Sequence, residues 1–206
     1  MADVNCEITI RHGNDPAVEI RSAALAANTQ LLVIGRRLYP GATEVGPVAQ
    51  RILAAAPCAV LVVAPGSQLW SRRVLVAFDG SDAARSATEL AAQLAKPRQL
   101  PITLFSITDS SGQLPPEIED AAQLSIAELK LDGLTGDLSG GNGNIAEGIL
   151  KAARDTGADL IVLYRHTRGG LSRKLLGSVG DEVIRGAEVP VLLVGETAQT
   201  GLDAAG

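Results

Sequence analysis

The sequence predicts an α/β protein on a mostly parallel sheet, and three observations carry that prediction. Five short apolar runs, Leu31–Ile34, Val60–Val63, Val74–Phe78, Leu160–Leu163 and Val191–Val194, have the unbroken character of strands buried on both faces. Segments with a helical apolar period alternate with them, as in right-handed strand–helix–strand crossovers. The order of elements also recurs, because residues from about Cys6 to Pro65 repeat the second half of Arg72–Gly195. The chain has 206 residues, room for a domain and a half, and divides at about residue 67 into segments 1–67 and 68–206. Its hydrophobic fraction is 46% with only 2% aromatics, so Ala, Leu, Val and Ile must fill the core.

Taken in order, the N-terminal copy reads strand, helix, strand, helix, strand. Ile8–Arg11 is its first strand, Leu31–Ile34 the second and Val60–Val63 the last, and Pro65-Gly66-Ser67 joins it to the C-terminal segment. Val74–Phe78 opens that second segment. Ser81 or Asp82 caps a helix over Ala83–Lys96, with Ala87, Leu90, Ala91 and Leu94 on one face and Pro97 at its end. A second strand ends near Ile107. Pro115 and Pro116 then precede a helix over Glu117–Leu131. Leu134–Ser139 makes a poor strand, and Gly141–Ala146 reads as a flexible loop. Ile145–Thr156 is a helix closed by Gly157, and Ser172–Ala187 is a helix with Leu175, Leu176, Val179, Val183 and Ile184 as its stripe.

The repeat aligns Leu31–Ile34 with Leu160–Leu163, Asp15 with Asn144, Ile20 with Ile149 and Ala23-Ala24 with Ala152-Ala153, all at one offset. After a two-residue change inside a loop it aligns Gly46 with Gly177, Val48 with Val179, Ile52-Leu53 with Val183-Ile184 and Val60 with Val191. The N-terminal copy has no counterpart of the strand–helix–strand–helix block Arg72–Leu131.

Several function classes are disfavoured. The net charge is −5 and no Lys/Arg cluster stands out, so a nucleic-acid surface is not expected. No apolar run approaches the roughly 20 residues that span a bilayer, and the N-terminus lacks the pattern of a signal peptide. Cys6 and Cys58 fit no metal spacing, and a reduced, cytoplasmic protein is expected. His12 and His166 have no nucleophile pattern beside them. Gly141-Asn-Gly143-Asn-Ile-Ala146 fits a loose dinucleotide fingerprint, but it comes after a poor strand in the wrong slot. Asp79 lacks the acidic cluster and downstream Lys of a phospho-acceptor.

Three segments carry a family resemblance. Val74-Leu-Val-Ala-Phe-Asp79-Gly-Ser81 resembles the opening strand of universal stress proteins, Ala158-Asp159-Leu160-Ile-Val-Leu163 their fourth strand, and Leu176-Gly177-Ser178-Val179 with Val189-Pro190-Val191-Leu-Leu-Val194 their closing segment. The resemblance implies an open parallel five-stranded sheet of order 3-2-1-4-5, of the adenine nucleotide alpha hydrolase-like type, preceded by a half copy of the same fold. Ligands of such sheets sit at the carboxyl ends of the strands where the order reverses, here between the Val74 and Leu160 strands.

ATP-binding members of the family carry G-x-x-G-x9-G-[ST] after the fourth strand, where glycines let backbone N–H groups reach phosphates. Counted back from Gly177-Ser178, the first two glycine positions fall on Tyr164 and Thr167, while the N-terminal copy keeps Gly35 but has Leu38 next and ends in Gly46-Pro47. Neither copy has the complete loop. The matching site residues are Asp79, Ile107, Gly177, Ser178 and Val179, and Arg165, Arg168 and Arg173 are candidates to supply phosphate charge. Each has a structural reading too: turn and cap for Asp79-Gly80-Ser81, close packing for Gly177, core for Ile107 and a solvated loop for the arginines.

The expected function is a non-enzymatic stress-response or regulatory protein with degenerate or conditional binding of ATP or AMP. A weak ATP hydrolase and a pure interaction module with Tyr164 filling the phosphate space are the alternatives. The half copy has two ways to complete its sheet. Ile8–Arg11 slides beside Leu31–Ile34, or Val60–Val63 pairs with Val191–Val194, within the chain or between two chains of a dimer.

Overall fold

A computed structural model of the chain describes residues 6–36, 45–64, 66–165 and 178–195. The N-terminal copy contributes α1 (Pro16–Ala26), β1 (Leu31–Gly35), α2 (Pro47–Ala55) and β2 (Ala59–Val63). The rest contributes β3 (Val74–Ala77), α3 (Asp82–Ala95), a short 3-10 turn at Lys96–Arg98, β4 (Ile102–Ile107), α4 (Pro116–Leu131), β5 (Gly136–Gly141), α5 (Ile145–Thr156), β6 (Leu160–Tyr164), α6 (Ser178–Gly186) and β7 (Val191–Val194).

All seven strands form one sheet in the order β1-β2-β7-β6-β3-β4-β5. From the β5 end, the five C-terminal strands run 3-2-1-4-5, and the half copy continues the same sheet rather than standing apart. Neighbours are parallel except at the seam between β2 and β7, which is antiparallel. There Val60 faces Leu193, Leu61 faces Leu192 and Val62 faces Val191. Leu61 and Leu192 are equivalent in the repeat, so a local two-fold axis passes between them.

The strands alternate their side chains between two apolar layers. Val74, Val76, Leu160 and Val162 meet α3 and α4 on one face. Leu75, Ile161, Leu163 and Val60 meet α2, α5 and α6 on the other. Burial on both faces is why β2, β3, β6 and β7 read as unbroken apolar runs, whereas Leu31–Ile34, expected to be buried likewise, lies at the sheet edge with one face open and Val33 59% exposed. The caps also repeat. Asp15 accepts from the N–H groups of Ala17 and Val18 at the start of α1, and Asn144 accepts from Glu147 at the start of α5. Ser81, rather than Asp82, caps α3.

Two sequence expectations are corrected. Ile8–Arg11 forms no strand beside Leu31–Ile34, and Ile8 and Ile10 stay 90% and 80% exposed. The segment packs along α1 instead: Arg11 bonds Glu19, and the Glu19 side chain occupies the space where a Cβ on Gly13 would lie. The glycine-rich stretch expected to make a poor strand is β5, paired with β4 over six residues. It sits at the sheet edge, where main-chain pairing suffices and the Phe105 ring fills the room left by the missing Cβ of Gly141.

The chain between the copies is anchored at Asp159. Its carboxylate accepts from the backbone N–H groups of Ser71, Arg72 and Arg73, and so ties the entry of β3 to the start of β6. Burial pushes this carboxyl up, but the backbone donors and the Arg72 guanidinium outweigh burial and hold it below the ordinary value.

Candidate functional site

The carboxyl ends of β3, β4 and β6 open into a cleft of about 520 Å³. It lies at the switch point, where chain order reverses between β3 and β6, and in the size range of small-molecule sites. Asp79, Ile107, Arg165, Ser178 and Val179 all line it. Arg168, Gly177 and Arg173 lie outside the described residues.

Asp79 is exposed at the end of the β3 segment. Gly80, with φ +79, turns the chain so that the Ser81 N–H and hydroxyl donate to Asp79 Oδ1 at 3.0 and 2.5 Å. Ile107 ends β4, half-buried against the α5 layer. Tyr164 ends β6, half-buried, as part of the cleft wall. α6 is described from Ser178, and Ser178, Val179 and Gly180 line the cleft; the earlier part of the helix expected over Ser172–Ala187, with Leu175 and Leu176, lies outside the described residues. Ile118 of α4 and Ile145 and Ile149 of α5 complete an apolar wall that the sequence reading missed. Ile145, a large apolar residue left 48% exposed in the first turn of α5, carries the signal.

Arg165 lines the cleft, but its guanidinium is directed elsewhere. It is 3% exposed, and Nη1 and Nη2 donate to the carbonyls of Leu53 and Ala56, at the end of α2 in the half copy. Nε finds no acceptor among the described residues. The group fits only because residue 195 is glycine, since a Cβ there would come within 2.6 Å of Nη2. Burial pulls the guanidinium pKa below its ordinary value and pushes the nearby Cys58 thiol up.

Among the described residues no cluster of His, Cys, Asp and Glu suited to a metal occurs, and no helix is long and apolar enough to cross a membrane.

The profile of the Universal stress protein family matches residues 2–64 and 71–195. The chain belongs to this family. A universal stress protein of Thermus aquaticus is 33% identical over 134 residues, covering 60% of this chain and 98% of the relative. The crystal structure of a universal stress protein from Archaeoglobus fulgidus matches with a TM-score of 0.71 at 22% identity, covering 88% of this chain. The present chain spans 65% of that structure's length. A universal stress protein solved in complex with cAMP shares the fold, with a TM-score of 0.52 and 24% identity over 62% of this chain and 98% of its own.

Proposed function

We propose that this chain is a regulatory stress-response protein whose C-terminal domain, residues 68–206, binds an adenine nucleotide without a dedicated catalytic apparatus, and whose residues 1–67 serve as a docked half copy. The cleft carries the reading. It combines an apolar wall fit for a base, Ile107, Ile118, Ile145 and Ile149, with the polar side chains of Asp79 and Ser178. Family membership supports the stress-response role, and a family protein of the same fold is a complex with cAMP. AMP and ATP are the ligands to test. A hydrolase is less favoured: Asp79 is the one carboxylate among the described lining residues, and its Oδ1 is occupied by Ser81. A blocked interaction module is less favoured too, because about 520 Å³ stands open beside Tyr164.

Isothermal titration of the full chain with AMP and ATP tests the reading. Saturable binding is expected, and Val179→Trp, which places an indole at the cavity lining, is expected to abolish it. Absence of heat at high protein concentration overturns nucleotide binding.

A further inference from the structure

The two copies hold each other by the same residue used twice. Arg165 comes directly after β6 and donates to Leu53 and Ala56 at the end of α2. Its equivalent in the repeat, Arg36, comes directly after β1 and donates through Nη1 to the carbonyls of Ile184, Arg185 and Ala187 at the end of α6, at 2.8, 3.2 and 2.6 Å. Leu53 and Ala56 are the repeat equivalents of Ile184 and Ala187. The backbone matches as well: Arg36 N–H donates to Val63 and Arg165 N–H to Val194. The last carbonyls of a helix lack partners within it and carry partial negative charge, so a guanidinium fork suits both ends.

One clamp adjoins the cleft and the other holds a helix that lines it. Arg165 is part of its lining. Within the described part of α6, Ser178, Val179 and Gly180 line the cleft while its last turn is held by Arg36. A helix is stiff along its hydrogen-bonded length, and Val183 and Ile184 seat this one in the core, so the hold on its end bears on the position of its residues at the cleft. Among the described residues the N-terminal copy contributes β1 and β2 to the sheet, and it supplies the residue that holds the end of α6.

We propose that the half copy is a built-in positioning module for the nucleotide cleft, acting through Arg36 on α6 and answered by Arg165 on α2. This rests on the assignment of the cleft to a nucleotide. Arg36 is a positioning residue; it does not line the cleft. By reciprocity of linkage, a ligand that orders the cleft strengthens the docking of α2.

The full chain carrying Arg36→Gln is compared with wild type and Arg36→Lys, by titration with AMP and ATP and by amide hydrogen exchange. Arg36→Gln is expected to weaken nucleotide about five- to tenfold. It is also expected to speed exchange at the cleft end of α6, residues 178–182, as well as at the end it touches. Arg36→Lys, which keeps the charge without the fork, restores part of both. Nucleotide added to wild type is expected to slow exchange in residues 47–56. Faster exchange confined to residues 183–187, with affinity unchanged, makes the contact merely structural and overturns the proposal. If wild type binds neither nucleotide, the functional reading fails by itself, and exchange at residues 178–182 still decides whether Arg36 sets the cleft end. If Arg36→Gln does not fold, Arg36→Lys carries the same comparison.

Discussion

Arg165 is a buried cation whose partners are neutral carbonyls of another part of the chain. Such a group is costly to strip of partners and costly to crowd. Arg165→Met, which leaves the Leu53 and Ala56 carbonyls without donors, is expected to lower unfolding free energy by about 2–4 kcal/mol. Gly195→Ala, whose Cβ would meet the guanidinium, is expected to cost about 1–3 kcal/mol. Denaturant titration checks both. Asp159 gives a pH signature. Its folded pKa lies below the ordinary 3.8, so its stabilisation is complete above that value and is lost as pH falls through the depressed folded value. Asp159→Asn is expected to flatten the stability profile in that acid window, measured by thermal midpoints. At this scale the sequence was informative about residue type more than direction. Asp79, Ile107, Ser178 and Val179 were legible from strand ends and the family pattern, and they meet in one cleft. The path of the Arg165 side chain was not legible, because its acceptors belong to α2, more than a hundred residues away in the chain.

At the scale of elements, the strands and helices arise from local chemistry. The helix over Ile145–Thr156 and the strand Val191–Val194 fall where apolar period and capping place them. Ile8–Arg11 fails as a strand because alternation alone does not supply a surface to bury against, whereas β5 succeeds despite its glycines because β4 offers a full ladder. The seam and the outer edge of the half copy differ sharply in energetics. Leu192, 1% exposed where β7 meets β2, is expected to cost about 2–4 kcal/mol on replacement by Ala. Val33 on β1 is 59% exposed at the end of the sheet. Val33→Lys is expected to change stability by less than about 0.5 kcal/mol and to reduce any self-association in light scattering, since a charged side chain discourages pairing at an open edge.

Across the whole molecule, the N-terminal copy contributes two strands, β1 and β2, to a single seven-stranded sheet. The β2–β7 pairing gives β7 a partner on its outer side, and two arginines lock the helices that flank it. The sequence by itself determined the α/β class and the repeat, and through family resemblance the 3-2-1-4-5 order and part of the lining at the switch point, Asp79, Ile107, Ser178 and Val179. The class and the elements are set by local periodicity, capping and short-range turn chemistry, which a linear pattern records, while the strand order and the lining residues came only through the resemblance. Tertiary structure alone decided which of two ways the half copy completes its sheet, and where Arg36 and Arg165 point. Both outcomes depend on groups brought together from distant parts of the chain: an apolar strand pair with matching burial, and guanidinium groups within reach of unsatisfied helix-end carbonyls. No local pattern encodes those distances.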